Sequence, residues 1–410
     1  MTQATAAPHI ARRGYTPVSL HVQAREIHRS RLAFVNPAVV SIAAALALNI
    51  LGLMAISTSS AEHAWRQVAF LLVGVVAAAS LAIPSPRRVC SVAWPFYALT
   101  LLLLVFVLIP FVPEWLVRPR NGARRWINLG FTDFQPSEMA KLAFVLVLAS
   151  WLRHRRNHRR LLGLMVPFAL TLIPLALVLR EPDLGTALLF VPALFAMLIA
   201  AGAKKRHIAA IVLGGLLVAP LSYPMLKPHQ RARIDAMIAQ MRGDDRYEQD
   251  IGFQGARAMT LVGAGGLAGV GREHAAALVE YNRLPEEHND MIFAVICCRW
   301  GLWGGLLVWG LFLVFAAGGL LAAALSKNPF ARLVAVGVVA ITLTQMVINT
   351  GMTIGLLPIT GMTLPFVSYG GSSLIVSWMM TGLLLGIGLR RPRYLTADSF
   401  EFDENDEPIR

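Results

Sequence analysis

Long uninterrupted apolar blocks, rather than amphipathic stripes, organise this chain. A helix needs about 20 mainly apolar residues to cross the ~30 Å hydrocarbon core of a bilayer. Blocks of that kind recur at 37–57, 67–83, 94–116, 136–152, 161–179, 184–202, 208–226, 291–325, 330–352 and 366–389. The pattern predicts an all-α polytopic membrane protein with about ten transmembrane helices and both termini on one side. The eighth block is long enough to include an interfacial extension, and the tenth opens in a stretch dense in Gly and Pro. Between the seventh and eighth lies one long polar loop, 227–290. Loops beyond ~12–15 residues are uncommon unless they are functional or disordered, so chemistry is expected beneath this one.

Composition agrees with that reading. Hydrophobic residues make up 56% of the 410 and charged residues 15%, where soluble domains average about 25% charged. A soluble enzyme, a disordered chain and a disulfide scaffold are excluded. Cys90, Cys297 and Cys298 have no spacing that suggests a metal or disulfide framework.

The net charge of +14 fits loop topology rather than nucleic acid. A cytoplasmic N-terminus places Arg87, Arg88, the basic run 153–160, Lys204, Lys205, Arg206, Lys327, Arg332, Arg390, Arg391 and Arg393 inside, as the positive-inside rule requires. Residues 1–36 then read as a retained cytoplasmic tail, 37–390 as the membrane domain, and 391–410 as an acidic cytoplasmic tail.

Several outer segments carry candidate chemistry. The loop 117–134 holds Arg118, Arg120, Arg124 and Arg125 beside Trp126, on the face where cations are disfavoured. It reads either as an interfacial anchor or as a clamp for phosphate, since arginine offers permanent charge and bidentate donors. In Gln135-Pro136-Ser137-Glu138-Met139-Ala140-Lys141, Glu138 and Lys141 stand three apart and can pair on one helix face. An ionisable pair just inside a membrane is a functional candidate, set against a plain helix start with a snorkelling lysine. In Arg180-Glu181-Pro182-Asp183, capping of the sixth block by Asp183 explains the turn almost fully. The glycine run 263–271 follows no strand, so a dinucleotide loop fails, and close backbone packing or a re-entrant turn is expected.

Glu286, Glu287, His288 and Asp290 cluster where water meets lipid, directly before Met291-Ile292-Phe293. Apolar surroundings raise a carboxyl pKa, which makes Asp290 a candidate general base; a solvated loop with a helix cap is the plainer alternative. Arg299 inside the eighth block costs roughly 2.5–3.5 kcal/mol on insertion scales, so a cavity or an acidic partner is expected beside it. The segment 355–373, with Pro358, Pro365, Ser368 and Ser372, breaks helix at membrane depth. Such backbone must be buried in protein or line a wet cavity, and amides exposed at helix breaks bind anions. It reads as a site wall or as a tightly packed broken helix.

Taken in order, GARRWINLG and FQPSEMAK (122–141), EPDLGTA (181–187), GAGGLAGVG with LPEEHNDMIFAV (263–295) and NTGMTIGLLPITGMTLPFVSYGGSS (349–373) resemble the SEDS family of shape, elongation, division and sporulation proteins. The resemblance implies a SEDS-type fold and a peptidoglycan glycosyltransferase. It would polymerise lipid II, an undecaprenyl-pyrophosphate-linked disaccharide peptide, at the outer face of the bacterial cytoplasmic membrane, in elongation or division. A class B penicillin-binding transpeptidase is the implied partner.

The family's essential acid falls on Asp290, and its Trp, Glu and Lys fall on Trp126, Glu138 and Lys141. In the implied mechanism Asp290 deprotonates or orients a sugar hydroxyl. Arg120, Arg124, Arg125 or a divalent cation (Mg or Mn) stabilises the pyrophosphate leaving group, and His288, Ser368 and Ser372 complete the substrate-binding set. Where the family pattern carries two acids, this chain has Cys298 and Arg299. Two other readings therefore stand beside the polymerase: an inactive scaffold for a transpeptidase, and a flippase for the lipid-linked precursor.

Overall fold

The computed structural model describes residues 36–120, 123–130, 132–153, 161–225, 228–242, 244 and 252–390. Apart from Asn36, both expected tails lie outside these residues. Helix α1 spans Pro37–Ser59, α2 Ala61–Ala82 and α3 Pro86–Leu108. A small antiparallel sheet follows, β1 Val117–Arg120, β2 Ala123–Asn128 and β3 Asp133–Phe134, in the order β1-β2-β3. Then come α4 Pro136–Leu152, α5 Met165–Arg180, α6 Leu184–Ala200 and α7 Lys205–Ser222. The chain continues with α8 Pro228–Met241, α9 Phe253–Gly265, α10 Gly271–Asn282, α11 Ile292–Leu325, α12 Pro329–Thr353 and α13 Gly371–Leu389.

A helix occupies each of the ten apolar blocks. Among the described residues, seven helices are long and apolar enough to cross a bilayer: α1, α2, α3, α5 together with the turn before it (Leu162–Arg180, 19 residues), α11, α12 and α13. Helices α4 and α6 are shorter, at 17 residues each. Starts are set locally. The side chains of Asn36, Ser60, Ser85, Asp183 and Asn328 accept amide hydrogen bonds at the first turns of α1, α2, α3, α6 and α12, satisfying donors that a helix start leaves orphaned.

Two expectations need correction. The third block was expected to run to 116, but α3 stops at Leu108, because Pro110 and Pro113 cannot donate to a continuing helix. The segment 227–290 is no open loop; it folds into α8, α9 and α10. These helices are short and weakly apolar, so they leave no block in the sequence.

Small residues let the long helices touch. On α13, a Cβ at Gly382 would lie 2.2 Å from the Ala78 carbonyl oxygen of α2. On α11, a Cβ at Gly318 would lie 2.5 Å from Ser41 Oγ of α1, whose hydroxyl donates to Phe315 O at 2.9 Å. Close backbone approach of this kind drives association where lipid removes the hydrophobic incentive.

Helix α11 is broken at Gly301, where φ is 67°. Freed backbone groups inside a membrane must find partners, and the glycine run supplies them. Val270 N donates to Cys298 O at 3.0 Å, and Leu302 N donates to Gly266 O at 2.9 Å. Close backbone packing, one of the two expectations for this run, is what it provides. Arg299, beside the break, meets no acid among the described residues. Its guanidinium donates to Met54 O at 2.5 Å and Thr58 Oγ1 at 2.9 Å and stacks on Trp300.

Candidate active site at Asp290

Asp290 sits at the end of a tight turn that delivers it to the start of α11. Glu286 adopts φ 55°, and its carbonyl accepts from Asn289 N at 3.0 Å and Met291 N at 3.3 Å. The turn folds Asp290 inward to 6% exposure. Three separate elements then hold it. Gln254 Nε2, from α9, donates to Oδ1 at 3.2 Å and Oδ2 at 3.3 Å. Asn349 Nδ2, from α12, donates to the Asp290 carbonyl at 2.8 Å and to Met362 O at 2.6 Å. The backbone at Gly361 passes alongside, where a Cβ would stand 3.8 Å from Oδ2. Burial pushes the Asp290 carboxyl up to about 7, with the Glu286 carboxylate adding to the rise and Gln254 and Arg233 opposing it.

Arg233 on α8 donates to Ile359 O at 3.0 Å. Its guanidinium pKa is lowered by burial and then by the positive field of Arg125, against the pull of Asp290. Arg125, Arg233 and Asp290 therefore form one electrostatic neighbourhood, reached from β2, α8 and the turn before α11.

A cluster of rings flanks the turn. His63 and His288 stack at 4.3 Å, and Tyr369 meets them edge-on at 4.7 and 5.5 Å. Tyr369 N donates to His288 O at 2.8 Å. Burial, then the neighbouring His63, lowers the His288 pKa, while Glu286 opposes that shift. Burial likewise raises the Glu287 carboxyl.

The segment 355–370 is a packed wall. Gln67 on α2 donates to Ser368 O at 2.8 Å and accepts from Gly370 N at 3.3 Å. The Ser368 hydroxyl accepts from Leu364 N at 2.7 Å, and Ser372 Oγ donates to Asp133 O at 2.8 Å while accepting from Gln135 N at 3.2 Å. Both serines thus fasten the wall.

Glu138 and Lys141 do pair, at 2.7 Å, and both are nearly fully buried. Lys141 Nζ also donates to Gln345 Oε1 at 3.1 Å, and Gln345 Nε2 donates to Thr363 O at 2.9 Å. The pair braces the wall from α4, where the snorkelling alternative would have left the lysine wet. Beside it, Asp183 caps α6 through Thr186 and also accepts from Gln135 Nε2 at 3.0 Å and Ser137 Oγ at 3.2 Å. Its cap role is therefore joined by a tie to α4.

Of the outer arginines, Arg124 and Arg125 are committed to the protein's own carbonyls. Arg124 donates to Pro110 O at 2.6 Å and also to Val112 O. Arg125 donates to Glu181 O and Pro182 O, each at 2.6 Å, and lies 5.9 Å from the half-buried Trp126 ring. Bonds to carbonyls explain how Arg124 and Arg125 are accommodated on this face; the side chains of Arg118 and Arg120 lie outside the described residues. Glu181 is buried with no hydrogen-bond partner for either carboxylate oxygen among the described residues. Burial and the nearby Asp183 push its carboxyl up to about 9, against the pull of Arg125.

Gln254, Arg233 and His63 carry no signal in the sequence, because their partners lie tens or hundreds of residues away. Asn349 opens the NTGMT stretch of the quoted motifs, and that stretch is the one sign of it. For a divalent cation, no three His, Cys, Asp or Glu side chains converge into a ligand set among the described residues.

Known proteins bear on this geometry. The family described as "Cell cycle protein", covering FtsW, RodA and SpoVE, matches residues 31–391. The probable peptidoglycan glycosyltransferase FtsW of Thiomicrospira cyclica is 34% identical over 83% of this chain and 89% of its own length. A solved structure described as structural coordination of polymerization and crosslinking by a peptidoglycan synthase complex aligns with TM-score 0.73 and 31% identity, over 86% of this chain and 97% of that one. The rod shape determining protein RodA of Thermus thermophilus aligns with TM-score 0.63 and 28% identity, over 86% of this chain and 96% of that one. The likeness spans both the helical bundle and the segments that frame Asp290, and the chain belongs to the FtsW/RodA/SpoVE (SEDS) family.

Proposed function

We propose that this protein is a peptidoglycan glycosyltransferase that joins lipid-linked disaccharides, lipid II, into glycan strands, with Asp290 as its general base. The observation that carries the reading is the buried carboxyl of Asp290, lifted to about 7, since a base works best with a pKa near the operating pH. Relatives named as peptidoglycan glycosyltransferases support the reaction class. The likeness to a peptidoglycan synthase complex supports a penicillin-binding transpeptidase as partner.

In this reaction Asp290 takes the proton of an acceptor sugar hydroxyl. The hydroxyl oxygen bonds to the anomeric carbon of a second lipid-linked sugar, and the bond from that carbon to the pyrophosphate oxygen breaks. The polyprenyl pyrophosphate leaves with the electron pair as a stable anion, so no catalytic acid is required. Arg125 and Arg233 favour that developing charge through their field, while their hydrogen bonds to carbonyls keep them fixed before substrate arrives. The glycan side is the cell exterior, with both termini cytoplasmic.

Gel-resolved polymerisation of labelled lipid II by the purified protein, alone and with its transpeptidase, tests the proposal. Glycan ladders that disappear with Asp290→Asn are the expected result. Absence of ladders from folded wild-type protein with its partner would leave the scaffold reading in place.

A further inference from the structure

Helices α3 and α5 are fastened together at mid-depth and separate toward the end of the bundle that carries Asp290. The fastening is Tyr97, whose hydroxyl donates to Leu170 O at 2.7 Å. Beyond it, α3 and α5 leave a groove of about 670 Å³ lined by Leu101, Leu102, Val105, Ile173 and Leu177, with Arg180 at its mouth. Leu102 is 67% exposed and Ile173 47%, so the groove opens sideways to lipid rather than closing into a core.

Arg180 distinguishes this groove from ordinary lipid-facing surface. Arg124 and Arg125, by contrast, donate to protein carbonyls. Arg180 is exposed and, among the described residues, has no hydrogen-bond or ion-pair partner. Its place at the end of α5 suits the helix dipole, but the dipole does not use the fork of guanidinium donors.

We infer that the α3–α5 groove holds one acyl chain of an anionic phospholipid, with the Arg180 guanidinium on the lipid phosphate. The groove extends from Ala98 to Val105 on α3, roughly 10 Å at 1.5 Å per residue, which is most of one leaflet's ~15 Å of hydrocarbon. A single guanidinium matches the single charge of a phosphodiester in bidentate geometry. A pyrophosphate carrier would bring more charge than one side chain answers, and Arg124 and Arg125 are committed to protein carbonyls. Lipid seated here bears directly on the site, because Arg180 precedes Glu181, whose carbonyl positions Arg125.

The test is native mass spectrometry of the full chain with phosphatidylglycerol, phosphatidylcholine or a polyprenyl pyrophosphate added. Wild type should retain phosphatidylglycerol about fivefold over phosphatidylcholine, as expected for one basic residue at an anionic surface. Arg180→Gln should bring the two lipids level. Ala176→Phe, which fills the groove, should release both, with Ala98→Phe as the second variant should the first fail to fold. A preference unchanged in Arg180→Gln overturns the inference. So does a polyprenyl pyrophosphate that displaces phosphatidylglycerol from wild type, which would make the groove a carrier-lipid site.

Discussion

The amide of Gln254 lies within hydrogen-bond distance of both carboxylate oxygens of Asp290, at 3.2 and 3.3 Å, so one side chain from α9 fixes the orientation of the proposed base. This bond stabilises the ionised carboxylate and works against the burial that raises its pKa. Gln254→Ala should therefore move the acidic limb of the rate–pH profile upward, and the loss should be largest below neutral pH. Polymerisation rates measured between pH 5.5 and 9 would check it.

The charge of Glu286 acts in the opposite sense, because a nearby like charge raises the Asp290 pKa. A base must be deprotonated to act, so activity should rise as pH increases through about 7. Glu286→Gln should shift that rise to lower pH without abolishing turnover. Asp290→Asn should reduce turnover by about 10²–10⁴-fold at every pH, the usual contribution of a general base.

Glu181 gives a stability prediction. Its carboxyl is pushed up to about 9 in the fold from an ordinary 4.5. The unfolded chain releases this proton near 4.5 and the folded chain holds it until about 9, so the contribution to stability falls as pH rises across that window. Glu181→Gln should flatten the fall. Thermal unfolding in detergent at pH 5, 7 and 9 would read it, and an equal slope in both proteins would count against a protonated Glu181.

The buried Glu138–Lys141 pair should be intolerant of losing one member. Lys141→Met leaves a carboxylate stranded, at a cost of about 3–5 kcal/mol. Glu138→Gln combined with Lys141→Met should cost less than Lys141→Met alone. Chemical denaturation of the two variants against wild type would separate them.

What the sequence made legible were features that are local in the chain. Apolar blocks placed the helices because hydrocarbon demands runs of fixed length, and the spacing of Glu138 and Lys141 announced their pairing. Asp290 stood out because charge meets Met291-Ile292-Phe293 without a break. Contacts made across the chain were not legible. Arg124 and Arg125 looked like free cations because their partners are backbone carbonyls, which every residue carries alike. Gln254 and Arg233 sit in a polar stretch whose short helices leave no periodic mark. The break at Gly301 was hidden inside an apolar block that reads as one helix.

That break carries a consequence for biogenesis. The amides and carbonyls that α11 loses at Gly301 are satisfied by residues 266–270, a segment synthesised just before the helix it completes. Helix α11 therefore cannot reach its final state by entering the bilayer alone, since each unmatched backbone group in hydrocarbon costs several kcal/mol. The preceding α9–α10 hairpin has to fold in against it at the same time. The α9–α10 hairpin is thus a built-in companion for an otherwise unstable span, and its removal would leave the backbone at the Gly301 break unmatched.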